Sequence, residues 1–266
     1  MHVRPRSNMP LQISHMTQKQ FTSPRRKLVR KILHFLARPA FALVSKLEIN
    51  DTQNLPESGP LLMVGNHFSF IDPPCFVRIA PWEIEFVGGA DTPHAPAATR
   101  IIPLVWGYHP LYRGTGAKDS LRAAEGILKQ GGVLGIFPEG GNWATVLRPA
   151  RPGTAFLASR TGAPLLPVGL VGMNDVFPSL KRGRRAHIQI NIGKPFGPLK
   201  AEGRGKKYRE QLDEIGHEIM SHIAELIPPE KRGHYSNDPA IREAAKGTEI
   251  YPWADKIEGQ VKGIVR

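Results

Sequence analysis

One cysteine, Cys75, is all the thiol in the 266-residue chain. A lone cysteine excludes an intrachain disulfide and a cysteine-based zinc cluster, and it fits a reducing compartment. No stretch approaches the roughly 20 uninterrupted apolar residues of a membrane-spanning helix. The start of the chain lacks the compact apolar run of a secretory signal. No Gly-x-Ser-x-Gly turn occurs, which removes the strained serine elbow of the α/β-hydrolases. Aromatic residues make up only 8% of the chain and are not interleaved with its basic residues. A nucleic-acid partner is therefore not expected, in spite of a formal charge of +13.

What is abundant is positive charge, unevenly placed. Residues 1–50 hold ten Lys and Arg against the single acid Glu48, so most of the excess is an N-terminal feature suited to an anionic surface. Residues 1–24 are polar, acid-poor and without period, and are expected to be disordered. From residue 25 a helical pattern begins. Leu28, Ile32, Phe35 and Leu36 recur at helical spacing, with Leu33 alongside, among Arg25, Arg26, Lys27, Arg30, Lys31 and Arg38. Too charged to span, such a helix reads as interfacial. The competing reading is an ordinary helix packed on the core with a solvated basic face. Pro39 should break or kink it. Residues 25–48 are thus read as a membrane-associating amphipathic element. A main domain follows over 49–230, and a loosely packed C-terminal arm over 231–266.

The chemistry concentrates in residues 61–75. Leu61 to Val64 form a short apolar run that suits a buried strand. Gly65 lets the backbone turn, and Asn66 and His67 follow where the strand ends. Asp72 precedes Pro73 and Pro74, an N-cap signal with prolines in a helix's first turn. On one continuous helix, residues five apart would diverge by roughly 140°. Across a turn His67 and Asp72 can meet. The carboxylate then orients one imidazole nitrogen and leaves the other free to take a proton. Ser69 raises the idea of a Ser-His-Asp triad, but it lies only two residues from His67 in the same turn.

Strand, polar loop and helix recur further on. Ile84 to Val87 reads as a strand ended by Gly88-Gly89, and Pro110 to Arg113 as a strand running into Gly114. Asp119 to Gln130 has one apolar helical face and stops at Gly131-Gly132. Val133 to Phe137 is a strand that delivers Glu139 and Gly140 into a glycine-rich turn, followed by a helix near 152–161. Pro164 to Val171 and His187 to Ile192 are further strands, and Lys206 to Ile227 is a long amphipathic helix. This alternation predicts an α/β fold, a mixed and mostly parallel sheet flanked by helices. Sites in such sheets lie in the crevice at the carboxyl ends of the strands.

The stretch Asn66-His67 … Asp72-Pro73 resembles the first motif of the glycerolipid acyltransferases, in which His, four residues and Asp form the pattern. Ile136-Phe137-Pro138-Glu139-Gly140 resembles the family's Phe-Pro-Glu-Gly block. Leu111-Tyr112-Arg113 stands where the family has a basic block, and Pro164 to Val168 where it has an apolar Val-Pro-like block. Four blocks in the family's order cover roughly residues 60–170.

The resemblance implies an acyltransferase of the 1-acylglycerol-3-phosphate or lysophospholipid type, moving a fatty acyl chain from an acyl thioester to a free hydroxyl. His67 would be the base and Asp72 its orienting partner, with Asn66, Arg113, Glu139 and Gly140 binding substrate. Arg113 suits a phosphate because its guanidinium fork is bidentate. Ile101, Leu104, Val105 and Trp106 would line an acyl-chain tunnel. The implied partners are an acyl-CoA or acyl carrier protein thioester, a lysophospholipid acceptor and an anionic membrane surface, with no resident cofactor and no metal. The expected location is peripheral or monotopic, on the cytoplasmic face of a membrane. Where the family continues its third block with Thr and Arg or Ser, this chain has Gly141, Asn142 and Trp143. A neutral donor and an aromatic face there would broaden the acceptor range. A non-catalytic anionic-lipid binder on the same scaffold, or an esterase, are the alternatives.

Overall fold

Leu61 to Gly65 form a strand, β2, with every residue buried. A strand buried on both faces requires cover on both sides, and that requirement sets the layering of the molecule. The structure, a computed structural model, describes residues 26–89, 105–111 and 117–252. Among these residues the other strands are β1 (Ser45–Asn50), β3 (Ile84–Gly89), β4 (His109–Leu111), β5 (Val133–Ile136), β6 (Leu165–Val171) and β7 (Ala186–Ile192). They form one sheet of order β1-β7-β6-β2-β5-β3-β4. Among these seven strands only the β6–β7 pairing is antiparallel and the others are parallel, with an isolated antiparallel bridge between Leu165 and Phe196 besides. The mixed, mostly parallel α/β fold expected from the alternation is present.

Side chains alternate across the sheet and divide the core. Leu62, Val64, Leu134 and Ile136 face one side. There they meet α3 (Ala117–Lys129), α4 (Pro152–Thr161) and α6 (Gly205–Glu225) through Ile127, Leu157, Ile219 and Ile223. Leu61, Met63, Val133 and Ile188 face the other side. That side is covered by α1 (Lys27–Val44), α2 (Pro73–Ile79) and the start of α5 (Val176–Lys181).

The first helix departs from expectation in three ways. It runs through Pro39 to Val44 without ending there, and Ser45 begins β1. The sheet therefore starts at residue 45, inside the 25–48 element. Arg30 is not part of a solvated basic face. It is buried, and its guanidinium donates to both carboxylate oxygens of Glu85 at 2.6 and 2.8 Å. The same guanidinium lies over the Trp106 ring. With Leu33, Ala37 and Phe41 it fastens the helix to the body. Yet Leu28 (72% exposed), Phe35 (75%) and Leu43 (75%) point outward with Ile32 and Leu36. The helix is thus packed on the core along one face and carries an exposed apolar stripe on the opposite one.

Trp106 is a core residue, with its ring N–H donating to the Ile84 carbonyl at 3.2 Å and its ring edge-on to Phe86. It is packed in the core, and it also lines the cleft beside α1. Ile101 and Leu104 lie outside the described residues, and Val105 is half-buried. The C-terminal segment is not loosely attached as far as residue 252. Lys231 and His234 exchange backbone bonds with Leu147, and α7 (Pro239–Ala245) follows with its N-cap Asp238 bonded to Ala240.

If the Arg30–Glu85 pair anchors α1, Glu85→Ala leaves a buried guanidinium without its carboxylate. The expected cost is about 3–5 kcal/mol in unfolding free energy, measured by urea denaturation. Limited proteolysis should then cut first within residues 27–44.

Candidate active site

β2 and β5 are adjacent and parallel, with Leu61 paired to Val133 and Val64 to Ile136. Their carboxyl ends therefore deliver the loops after Gly65 and after Ile136 to the same place. Gly65 is obligatory at the turn, because a Cβ there would lie 2.9 Å from both the Phe76 ring and the Val168 carbonyl. From this point the chain presents Asn66, His67 and Asp72, while the neighbouring loop presents Phe137 and Glu139.

His67 Nδ1 lies 2.9 Å from Asp72 Oδ2. The same oxygen accepts the Ser69 backbone N–H at 2.7 Å. That oxygen is thus an acceptor, so Nδ1 carries the ring proton and donates it, leaving Nε2 with a free lone pair. Asp72 is buried, and desolvation raises its pKa; the bonds from His67 and from backbone N–H groups oppose the rise. The side chain does not cap α2, the role its place before two prolines predicts. It is spent on orienting His67. The imidazole also stacks on Phe137 at 4.4 Å between ring centres and is 16% exposed, so one edge remains open to a reactant.

Glu139 is wholly buried and faces inward, not toward an acceptor as its family block implies. Its Oε1 accepts the His67 backbone N–H at 2.7 Å. Its Oε2 accepts Arg148 Nε at 3.0 Å and the Arg148 backbone N–H at 3.3 Å. Burial pushes the Glu139 carboxyl up to about 7, against the pull of the Arg148 guanidinium and these N–H groups. Gly140, with φ +72°, closes the turn that points Glu139 back, and its N–H donates to the Phe137 carbonyl at 3.0 Å. Its work is in the backbone.

Asn66 is also corrected from substrate contact to structure. Its amide donates to the Leu170 carbonyl at 2.8 Å and accepts the Leu170 N–H at 2.7 Å, so it ties the end of β2 to β6. Arg113 lies outside the described residues. Cys75 is buried, its thiol pushed well up by desolvation, and it has no part as a nucleophile.

Arg148 is the residue that sequence reasoning misses. It lies nine residues beyond Glu139 in a stretch without period, and no local signal marks it. Its guanidinium is fully buried, donates also to the Gly141 carbonyl, and lies 3.8 Å from the centre of the Trp143 ring. Trp143 in turn donates its ring N–H to the Thr248 carbonyl at 2.8 Å. The aromatic face expected to meet an acceptor is therefore turned onto Arg148. A guanidinium is present beside this loop after all, supplied from a later position.

A strand-end His–Asp pair that leaves Nε2 open, on a mostly parallel sheet, is suited to take a proton from a hydroxyl. A family model described as Acyltransferase matches residues 46–171. The chain is similar to that family over those residues, a little under half of its length. It is 28% identical over 190 residues to the chloroplastic 1-acyl-sn-glycerol-3-phosphate acyltransferase BAT2 of Brassica napus, covering 65% of this chain and 53% of that one. To the 1-acyl-sn-glycerol-3-phosphate acyltransferase of Bacillus subtilis it is 22% identical over 186 residues, 68% of this chain and 91% of that one. The chain spans about half the length of the plant relatives it matches. The crystal structure of the 1-acyl-sn-glycerophosphate (LPA) acyltransferase PlsC from Thermotoga maritima shares the fold. Its TM-score is 0.50 at 20% identity, over 75% of this chain and 83% of that one.

Removing Arg148 strands a buried carboxyl. Arg148→Met should cost about 3–5 kcal/mol at pH 8 and distinctly less at pH 5. The sign follows from Glu139: with its folded pKa raised, the folded variant binds a proton that the unfolded chain has lost, so stability falls as pH rises through that window. Urea denaturation at the two pH values measures the difference, and an equal penalty at both would show that Glu139 carries no charge there.

Proposed function

We propose that this protein transfers a fatty acyl chain from an acyl thioester to the free hydroxyl of 1-acylglycerol-3-phosphate, at a membrane surface, in phospholipid biosynthesis. The observation that carries this reading is His67 held by Asp72 on one nitrogen and open on the other. Nε2 takes the acceptor's hydroxyl proton as the oxygen attacks the thioester carbonyl. The C–O bond forms and the carbonyl electrons move to an oxyanion. On collapse the C–S bond breaks, and the leaving thiolate takes the proton back from the imidazolium. The acceptor itself is the nucleophile, so neither Ser69 nor Cys75 is required. CoA or acyl carrier protein would serve equally as the thiol carrier. Arg113 is the proposed phosphate anchor.

Attachment to the membrane is read from α1. Among the described residues no helix is long and apolar enough to cross a bilayer. The outward Leu28, Ile32, Phe35, Leu36 and Leu43 form one stripe with cations beside it, the pattern of a helix lying in the interface. The exposed Phe177 and Leu180 of α5 add apolar surface near the site, because Phe177 stacks on Phe70 of the His67 loop. Peripheral attachment to the cytoplasmic leaflet fits the basic charge of this surface.

Two experiments test the reading. His67→Ala should lower thiol release from acyl-CoA in the presence of 1-acylglycerol-3-phosphate by at least about a thousandfold, within the range of general-base catalysis and lost orientation. Asp72→Asn should lose less, since an amide oxygen can still accept both N–H bonds. A folded His67→Ala protein with wild-type transfer would exclude the base. Ile32→Asp with Phe35→Asp should abolish sedimentation with phosphatidylcholine vesicles while leaving the circular dichroism spectrum unchanged. Undiminished vesicle binding would remove α1 from the interface.

A further inference from the structure

Around α1, at about 100° per residue, Lys27, Lys31, His34 and Arg38 share one flank, between the buried face and the apolar stripe. The end of α2 comes up beside that flank and brings Arg78, which lies in its last turn. The electrostatics report the closeness. Burial, then the Arg38 and Arg78 charges, lower the His34 pKa, and burial and Arg38 lower that of Arg78. Among the described residues none of His34, Arg38 and Arg78 is paired with a carboxylate, and the buried Nε of Arg78 has no hydrogen-bond partner. His34 and Arg38 stand between two clefts, of about 420 and 160 Å³. The larger runs past Trp82 and Trp106, with Glu83 the acid among its lining residues, and the smaller is lined by Arg78, Leu55 and Ile79.

Two cationic guanidinium groups that repel each other, with His34 beside them and no counter-charge, are destabilising unless an anion joins them. Two guanidinium forks are suited to phosphate oxygens, which they hold bidentately. The adjoining apolar stripe decides which phosphate. With Leu28, Ile32 and Phe35 in the acyl region of a bilayer, the flank beside them lies at headgroup depth. We propose that His34, Arg38 and Arg78 form a headgroup site for an anionic phospholipid of the bilayer, distinct from the acyl-transfer centre. Asp72 precedes the first turn of α2 and Arg78 lies six residues on, about 9 Å along the axis at the far end of the helix. The bound lipid is therefore an anchor for the protein. It is not the acceptor. The site rests on α1 docking to the membrane and adds to that docking a preference for anionic leaflets.

The test uses the full chain, with vesicles of phosphatidylcholine alone and of phosphatidylcholine mixed with phosphatidylglycerol, read by sedimentation. Arg38→Gln with Arg78→Gln should weaken binding to the anionic vesicles about thirtyfold, at a cation's usual contribution near a charged membrane surface. Binding to phosphatidylcholine alone, and turnover of a monomeric soluble acceptor, should stay at wild type. Lys207→Gln with Arg209→Gln removes the same charge from exposed positions on α6, across the sheet, and should leave the preference intact. Should the double Arg variant be unstable, Arg38→Gln alone, at an exposed position, should still lose about fivefold. The proposal is overturned if the two double variants lose equally, if the Arg variant keeps its affinity, or if turnover falls with it. A wild-type protein that binds both vesicles alike would overturn the headgroup site and leave docking standing. One that binds neither would overturn docking, and the site with it.

Discussion

Glu139 ties the two loops of the site together. One carboxylate, removed from water, receives the backbone N–H of His67 through one oxygen and the Arg148 side chain through the other. A buried carboxylate is tolerated only when such partners surround it, and once they do, their geometry is fixed. His67 is thereby held from three directions: by its backbone through Glu139, by Nδ1 through Asp72, and by its ring face through Phe137. Preorganisation of this kind is what the proposed role of His67 as general base needs, because its open nitrogen would meet a hydroxyl in one orientation. The Phe-Pro-Glu-Gly block therefore supports His67 from behind. Phe137 supplies the stacking face, Glu139 the brace and Gly140 the turn that points the brace inward.

The brace extends beyond the domain core. Arg148 is sandwiched between Glu139 and Trp143, and Trp143 is bonded to Thr248 near the end of the described chain. Leu147, next to Arg148, exchanges backbone bonds with Lys231 and His234. The segment after the long helix thus closes over the loop that positions the His67 backbone. What reads in sequence as a charged tail is, as far as residue 252, part of the support of the site.

If α1 docks on a membrane, as proposed, it resolves two opposing demands. A helix that lies in a membrane must present apolar side chains outward, and a helix that positions an enzyme must be fastened inward. Arg30 meets the second demand with a buried bidentate pair to Glu85, which frees the outward face for apolar residues. The remaining cations fall to one side, where a bilayer would place its phosphates. One helix therefore carries an anchor, an apolar stripe and a charged edge on separate arcs of its surface.

Much of this was legible in the chain. The apolar run of Leu61 to Val64, the alternation of strands and helices and the His67–Asp72 spacing follow from local periodicity and turn chemistry, which act over a few residues. They fixed α2 and β2, the sheet class and the meeting of His67 with Asp72. The direction in which a side chain points was not legible. Asn66 and Glu139 look like substrate ligands in sequence because they are polar residues at strand ends. Only the neighbouring strand and Arg148, brought in from nine positions away, turn them into internal supports. Arg30 is indistinguishable in sequence from Lys31 and Arg38, and it is the distant Glu85, 55 residues on, that buries it. Local sequence sets which elements form, because their energies are local. Which polar groups end up paired, and which remain for a ligand, was decided by the tertiary structure, because burial removes water and compels each group to find its partner across the fold.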